Sequence, residues 1–502
     1  MELNKLVSLG KQVLTCSAIS VCGLSAPTYA DITDLFGSFA NDLEESSAQA
    51  AWLTYNRLIE NEGCIDSLRV DPILNQDGDT NAACTGETFL LFNNVRELIH
   101  TANEITGDGA TAFSLGSNLE GLGFALRWTA AEEYAAQGTV SGEFVNGQIS
   151  GLAARMNALR MGARGFNIVG VPTGNGGNAI AAAHGMSGGS AGEESTYSKW
   201  GGFLNYSYGF GDKSPTDTED AFDFNGSKIN FGVDYILNDK WILGVVGGYS
   251  DQEVDFDASQ SIVEGGMQSS GFSVMPFFMF QPNSFFVSGS LGLQNMDFDT
   301  NRSIRYPSFN PDTSSTDTET VSNTSASMTS LFLETGYTWN HNKFALEPYG
   351  NVRYSDISVD GFIEDDINDA AFDLVVRQQD IESTEFTLGV KGQYTITPRR
   401  GVYIPYISLE YVTQTEDAPR LIDAYYANDS SALTAFSVPT SELDSNYSVF
   451  SLGVSGVLRG GRQKEAGGAI SGGVQGFINY KVIQGLEGID LQIYSFGLRY
   501  AF

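Results

Sequence analysis

The chain has 502 residues and a formal net charge of −34, because 61 Asp and Glu residues outnumber 27 Lys and Arg residues. This charge excludes a nucleic-acid-binding protein, which needs a basic face, and only four Cys and three His argue against a metal-rich protein. No internal apolar run reaches the roughly 18 residues of a transmembrane helix. A transmembrane β-barrel stays compatible with the composition, since it needs only alternating apolarity.

Residues 1–30 have the features of a secretory signal peptide. Lys5 and Lys11 give a positive start, an apolar stretch follows at 13–24, and the small Ala30 precedes a cleavage position. A buried N-terminal helix is the alternative interpretation. The pattern predicts export to the periplasm and removal of residues 1–30.

Region 31–150 is predicted to be a short, helical, passenger-like domain. Helical periodicity covers 48–60, 87–105 and 114–137, and no solenoid repeat is present. The region is strongly acidic, with 19 acidic residues against four arginines.

Cys64 and Cys84 are the cysteines that remain after removal of the signal peptide. An even pair in an exported chain predicts one disulfide. A metal site is the weaker alternative, because no His or third Cys lies nearby. We therefore expect no metal site.

The stretch 151–165 carries three positive charges and no acid. Its apolar residues form one helical stripe, and Arg155, Arg160 and Arg164 lie around the rest of the helix. One interpretation is an amphipathic surface helix. The other is a helix in the pore of a barrel, with inward-facing acids as candidate partners: Asp234, Glu334, Glu347 and Glu410. Residues 170–198 are rich in Gly, Ala and Ser, so 151–198 is predicted to comprise this helix and a flexible linker.

Region 199–502 contains twelve candidate strands with alternating apolar and small or polar residues. Short turns follow the even-numbered strands through the tenth, whereas long polar stretches follow the odd-numbered strands, as at 299–322 and 355–380. This asymmetry is typical of an outer-membrane barrel. The runner-up is a soluble sandwich or propeller. The predicted fold is an all-β transmembrane 12-stranded antiparallel barrel with a pore helix, preceded by a small α-helical domain.

The C-terminus ends in a strand with a strongly apolar face. Large apolar residues alternate with small or polar ones over the last nine positions: Tyr494, Phe496, Leu498, Tyr500 and Phe502 against Ser495, Gly497, Arg499 and Ala501. The spacing resembles the terminal β-signal of bacterial outer-membrane proteins, which the barrel-assembly machinery reads. The resemblance assigns the signal to Ser495, Gly497, Tyr500 and Phe502.

Three stretches together resemble a classical autotransporter of type V secretion. They are the segment from Ala135 through the three-arginine helix, the opening strands from Trp200, and the terminal strand. The resemblance implies a twelve-stranded barrel, a linker helix in its pore and an upstream passenger carried outward. The passenger is unusually short and helical. Some family members cleave themselves at an Asn pair, but here only Asn146-Gly147 lies nearby, so we expect the chain to stay whole.

The sequence therefore predicts an outer-membrane autotransporter whose barrel translocates or displays the N-terminal segment. The alternative is a stand-alone channel or surface adhesin barrel with a periplasmic or lumen-plugging N-terminal domain. No catalytic residues are expected, because neither His100 nor His341 has a Ser and Asp constellation and His184 lies in the linker. No cofactor is expected.

The expected partners follow from the predicted location in the bacterial outer membrane, reached through the periplasm. They are outer-membrane lipid and lipopolysaccharide, the barrel-assembly machinery and periplasmic chaperones, with no nucleic acid. We expect a monomer, with the N-terminal domain at the cell surface if export is complete.

Overall fold

The computed structural model describes most of the chain from residue 32 onward. The described residues are 32–66, 84–160, 199–256, 262–398, 402–415, 418–429, 436–442, 445–459, 462–463, 470–471, 473–486 and 488–501. The predicted signal peptide, the Gly-rich linker, Arg164 and Phe502 lie outside them.

Twelve long strands close into one antiparallel barrel, which confirms the predicted fold class. Each strand pairs with its neighbours in the chain, and the last strand pairs with the first. The strands are β1 Trp200–Lys213, β2 Phe222–Ile236, β3 Trp241–Phe256, β4 Gly265–Phe280, β5 Phe285–Tyr306, β6 Thr316–Tyr337, β7 Phe344–Val359, β8 Gln379–Tyr394, β9 Val402–Gln414, β10 Asn446–Arg459, β11 Val474–Gln484 and β12 Ile489–Ala501.

The alternation of the sequence sets which side chains face outward. Leu204 on β1 lies in register with Phe231 on β2 and Leu498 on β12, and all three are about half exposed. Their neighbours Asn205 and Asn230 are paired with each other and buried inside. Successive side chains of a strand point to opposite faces, so one face meets lipid and the other meets the lumen.

The apolar outer surface ends partway up the barrel wall. On β3 the outward residues change from Trp241 and Leu243 to Asp251 and Glu253. The strands β5 and β6 are 22 residues long and rise above this level. Because about ten tilted residues cross the membrane, the remaining length projects into water.

The two ends of the barrel differ in their connections. Turns such as 237–240 and 281–284 make one end compact, and we call it the short-turn end. At this end the connection 460–473 is longer than the predicted short turn and contains two paired strands, Arg462–Gln463 and Ile470–Ser471. The alternation of apolar residues did not predict these two strands, because each is only two residues long.

At the other, long-loop end, residues from two loops build a second sheet. Its four short strands are Phe362–Ile363, Leu374–Val376, Leu421–Tyr426 and Phe436–Pro439. They run antiparallel to one another. One face of this sheet is buried, because alternate residues such as Leu374, Ile422 and Val438 are almost inaccessible.

Four α-helices occur in the described residues: α1 Asp42–Asn61, α2 Glu87–Thr106, α3 Leu119–Thr129 and α4 Ala135–Ala158. Asn41 caps α1 by accepting a hydrogen bond from the Glu44 N–H at 2.9 Å, and Gly107 ends α2 in a left-handed conformation. None of these helices is long and apolar enough to span a membrane.

The predicted continuous helix 114–137 is wrong. Its sequence is divided into α3, a short 3-10 turn at Glu132–Tyr134 and the start of α4. Ala131 has φ 58°, a left-handed conformation that ends a helix. The chain therefore changes direction between α3 and α4.

The described residues 32–66 and 84–134 form a helical cap on the long-loop end. Leu58 and Phe92 of the cap belong to the same buried cluster as Leu374 and Ile422 of the four-stranded sheet. From the β5–β6 loop, the Asn310 side chain donates a hydrogen bond to the cap at 2.8 Å. The cap and the loops therefore share one core.

Candidate functional site: the barrel lumen and its two ends

The helix α4 runs from the cap into the barrel lumen. At about 1.5 Å per residue its 24 residues cover roughly 36 Å, enough to pass through most of the barrel. Its large side chains are buried: Val140, Phe144, Val145, Ile149, Leu152 and Met156. The helix packs against the half of the wall formed by β2 to β7. It begins at Ala135, so the predicted domain boundary at residue 150 falls within one continuous helix.

Close approach to the wall depends on two glycines of α4. A Cβ on Gly147 would collide with the Lys228 side chain, and one on Gly151 would collide with Asn230. Lys228 instead reaches across to donate to the Glu143 carbonyl oxygen at 2.7 Å. These glycines let long polar side chains of β2 lie flat against the helix.

At the short-turn end, Arg155 of α4 pairs with the barrel. Its guanidinium donates to Asp234, whose other carboxylate oxygen lies 3.3 Å from Nη2 of Arg499. Arg155 also lies over the ring of Phe203, 4.9 Å from the centroid. Asp234 is fully buried, so both cations compensate a carboxylate that water does not reach.

Arg160, just beyond α4, makes the second set of pairs. Its Nη1 lies 2.8 Å from Glu334 and its Nη2 lies 3.2 Å from Glu347. Glu347 also forms an ion pair with Lys391 at 2.5 Å and accepts a hydrogen bond from the Thr338 hydroxyl at 2.9 Å. All of these charged groups are almost fully buried. Each carboxylate of this set therefore has at least one cation partner.

Among the four candidate acids, Glu410 does not pair with either described arginine of the helix. It accepts a hydrogen bond from the Tyr349 hydroxyl at 2.6 Å instead. Arg164 lies outside the described residues. Sequence reasoning missed the barrel cations Lys228, Lys391 and Arg499. Each stands at an inward-facing position beside at least one outward apolar residue, and this parity could have identified them.

A crevice of about 220 Å³ separates α4 from the other half of the wall. Its α4 side includes Thr139, Gly142 and Asn146. Near the long-loop end its lining mixes apolar residues such as Ile483 and Leu486 with charged ones such as Arg420 and Glu442. Deeper in the lumen it includes Glu385, Arg353 and Lys481. The helix therefore fills one side of the lumen, and the crevice lies along the other.

Asn146-Gly147 lies inside α4 and faces this crevice. The Asn146 amide donates to Glu385 Oε1 at 3.2 Å. Arg353 approaches the other oxygen of Glu385, at 3.5 Å. The Asn146 side chain is thus held by the barrel wall within regular helix.

At the long-loop end, buried ion pairs join the cap to the barrel rim. Arg127 of the cap contacts both oxygens of Glu132 and reaches Asp220 at 2.6 Å. Arg302 of β5 forms a bidentate pair with Glu364, at 2.9 and 2.7 Å, and donates to the Trp128 carbonyl at 3.1 Å. The contacts of Arg127 with Asp220 and of Arg302 with Glu364 carry no sequence signal, because these partners lie far apart in the chain.

His100 of α2 has both ring nitrogens occupied. Nε2 lies 2.9 Å from Asp66, and Nδ1 accepts the Phe113 N–H at 3.1 Å. Burial opposes ionisation of Asp66, but hydrogen bonds from His100 and Tyr55 hold the pKa of its carboxyl below the usual value. In the described part of the chain, no three His, Cys, Asp or Glu residues converge on a common metal position.

The other predicted site residues lie in the cap and in the last strand of the barrel. Cys64 and Cys84 form a disulfide with Cα atoms 5.0 Å apart, which ties the end of α1 to the start of α2. Ser495, Gly497 and Tyr500 lie in β12. Tyr500 faces outward and pairs with Gly202 across the closure of the barrel.

A family model for the autotransporter β-domain matches residues 202–462. The chain belongs to this family. It is therefore an outer-membrane autotransporter barrel, and the stand-alone channel alternative is not favoured. No curated protein matches the sequence of this autotransporter.

Several solved structures resemble the autotransporter at low sequence identity. The translocator domain of the autotransporter NalP from Neisseria meningitidis is 11% identical, with a TM-score of 0.43 over 65% of this chain and 94% of that one. The β-domain of the Bordetella autotransporter BrkA is 15% identical, with a TM-score of 0.41 over 60% of this chain and 99% of that one. The transport unit of AIDA-I from Escherichia coli is 13% identical, with a TM-score of 0.36 over 65% and 96%.

Proposed function

We propose that the barrel carries the cap to the cell surface and keeps it there, uncleaved, as an attached non-enzymatic structure. The observation that carries this proposal is the core shared by the cap and the barrel loops. Leu58 and Phe92 pack in one cluster with Leu374 and Ile422. A cap that left the barrel would expose this apolar surface to water.

The ion pairs between cap and rim support the same proposal. Arg57 of α1 pairs with Asp429 of a barrel loop, and the Ser46 hydroxyl donates to the Ser437 carbonyl. Arg127 adds its contact with Asp220. Removing the cap would leave buried charges of the rim without partners, which is strongly unfavourable.

An uninterrupted α4 supports retention rather than release. The helix passes from the cap into the lumen, and its far end is anchored through Arg155 and Arg160. Asn146 lies within this helix and donates to Glu385. The cap thus stays covalently joined to a helix that the barrel holds.

The long-loop end of outer-membrane barrels faces the outside of the cell. The proposal therefore places the cap outside, above the lipopolysaccharide. It includes export through the signal peptide 1–30, escort by periplasmic chaperones and insertion by the barrel-assembly machinery. That machinery would read the terminal strand at Ser495, Gly497, Tyr500 and Phe502.

Labelling of single cysteines on intact cells tests the location of the cap. We would introduce Gln49→Cys in α1, Asp312→Cys in the β5–β6 loop and Lys240→Cys in the β2–β3 turn, which are all exposed positions. A membrane-impermeant maleimide should label Gln49→Cys and Asp312→Cys equally in intact cells. Lys240→Cys should react only after the outer membrane is permeabilised. Labelling of Gln49→Cys that also requires permeabilisation would reject surface display.

A further inference from the structure

Six buried charged residues meet where the cap rests on the barrel rim, and we call this cluster the joint. Three come from the cap and three from the barrel: Arg127, Glu132 and Glu133, then Asp220, Arg302 and Glu364. Four carboxyl groups therefore share two guanidinium groups, and the neighbouring Lys213 is paired with Glu219 outside the cluster. An imbalance of this kind is unfavourable in a buried site unless some of the acid is neutralised.

Glu133 is the acid that lacks a partner. Its side chain is 1% exposed, and neither carboxyl oxygen accepts a hydrogen bond from another residue. Among the described residues, the backbone N–H of Glu133 itself is the one polar hydrogen that acts on this carboxyl, and it lowers the pKa only in part. The two arginines are already engaged, since Arg127 holds Glu132 and Asp220 while Arg302 holds Glu364. Glu133 therefore sits in the joint without a cation in direct contact.

A metal ion and a proton are the two ways to neutralise such a group. In the described residues no three acidic or histidine side chains converge as metal ligands, so the geometry favours the proton. Burial raises the pKa of Glu133 to about 8. Among its neighbours, Arg302 opposes this rise, whereas Asp220 and Glu364 add to it.

Other titratable groups lie in the joint or next to it, close to Glu133. Burial and the charge of Asp220 also raise the pKa of Glu132, which shares Arg127 with Asp220. Tyr134 follows Glu133 directly in the chain, and its hydroxyl donates a hydrogen bond to Glu364 at 2.5 Å. Lys213 of the rim forms an ion pair with Glu219, and it also faces Glu132 and Asp220. None of these groups supplies a hydrogen bond to Glu133.

We propose that the protonation of Glu133 controls how firmly the cap is docked on the barrel. The cap is held most firmly in mildly acidic surroundings and loosens as the pH rises through the neutral range. This regulation deepens the proposed function, because it acts on the contact between the displayed cap and its barrel.

The direction of the effect follows from proton linkage. In an opened cap Glu133 meets water, and its carboxyl titrates near an ordinary pKa of about 4.5. Between that value and about 8, the docked state holds one more proton than the open state. Docking stability from this group is therefore fully present below pH 4.5 and is lost as the pH rises to about 8. The opening constant should increase up to about tenfold per pH unit in this window and level off above it.

Comparison of the full-length wild type with Glu133→Gln in detergent micelles tests the proposal. Opening is measured as the rate of thermolysin cleavage in the cap, from pH 6 to pH 8. Because both proteins meet the same protease at each pH, the ratio of their rates cancels the pH dependence of the enzyme. The rate of the wild type relative to the variant should rise up to about tenfold per pH unit.

The matched control is Glu120→Gln, which removes an exposed carboxyl from α3 of the same cap. Its rate relative to the wild type should not change with pH. If Glu133→Gln fails to fold, Glu133→Leu provides a second neutral side chain with the same expected result. A constant ratio of wild type to the neutral variant between pH 6 and pH 8 would overturn the proposal.

A second arm repeats the wild-type measurement with a metal chelator and with added Ca²⁺. An unchanged pH slope is expected, and a slope that disappears with the chelator would overturn the proposal in favour of a bound cation. These measurements use purified protein and do not depend on cellular location. Failure of the cysteine labelling would reject surface display and leave this result standing.

Discussion

The two ends of the lumen both hold buried charge, but they balance it differently. At the short-turn end, three carboxylates meet four cations: Asp234, Glu334 and Glu347 against Arg155, Arg160, Lys391 and Arg499. At the joint, four carboxyls meet two arginines. Similar charged side chains can therefore build either a permanent anchor or a contact whose strength depends on pH. The decisive difference is whether every acid has a cation.

The largest effect is expected from reversing charge at the anchor. The double variant Arg155→Glu and Arg160→Glu places new acids beside Asp234, Glu334 and Glu347. Since removing one partner of a buried ion pair costs about 3–5 kcal/mol, α4 should leave its position in the lumen. Single-channel conductance in planar bilayers should rise several-fold. Arg305→Glu, at an exposed arginine outside the lumen, is the control, and equal conductance of the two variants would argue against a helix held by these pairs.

A slightly smaller effect is expected at the joint from Arg302→Met. The substitution leaves Glu364 buried without a cation, so docking of the cap should weaken by about 3 kcal/mol or more. The cap should become sensitive to protease while the barrel keeps its heat-modifiable migration in gels. Arg305→Met removes two exposed ion pairs, with Glu264 and Asp317, and should change docking by less than about 1 kcal/mol. Similar sensitivity of the two variants would show that the buried pair does not hold the cap.

Removing the disulfide tests the cap apart from its docking. The Cys64→Ser and Cys84→Ser double variant opens a loop with a sequence separation of 20 residues. A crosslink over such a loop stabilises a fold by about 3 kcal/mol. The midpoint of cap unfolding should therefore fall, and the conductance of the barrel should stay unchanged. A change in conductance would mean that the two ends are coupled more tightly than the ion pairs indicate.

The smallest effect is expected from Lys391→Met at the anchor. Glu347 keeps Arg160 and the Thr338 hydroxyl, so the loss should be only about 1–3 kcal/mol. Thermal unfolding should shift slightly, and conductance should remain close to that of the wild type. An effect as large as that of Arg302→Met would remove the contrast between the two ends.

The barrel was largely predictable from the sequence, because strand alternation is a local signal. Leu204 and Asn205 already indicate the lipid and lumen faces before any partner is known. The interpretation of Arg155 and Arg160 as pore residues was also within reach, since inward acids such as Asp234 share that parity. Glu410 accepts a hydrogen bond from Tyr349 and pairs with neither Arg155 nor Arg160, because parity identifies the lumen but not the height within it.

Two helices of the cap were predicted at 48–60 and 87–105 and are present as α1 and α2. The docking of the cap on the barrel could not be predicted, because those contacts are long-range. Residues 362–376 and 421–439 read as polar loops, yet their short strands form the sheet on which α1 rests. Arg302 and Glu364 carry no local pattern that pairs them. The unpartnered state of Glu133 emerges only when six residues from separate parts of the chain are brought together.

The closure of the barrel has a consequence for the order of assembly. Gly201 and Ala501 pair although they lie 300 positions apart, so the seam between β1 and β12 is sealed only after the last strand has been made. The helix α4 packs mainly on β2 to β7, but it also touches a strand of the seam, because Asn205 of β1 donates to the Gly151 carbonyl oxygen at 3.3 Å. Closing the seam therefore also completes the contacts that hold the helix in the lumen.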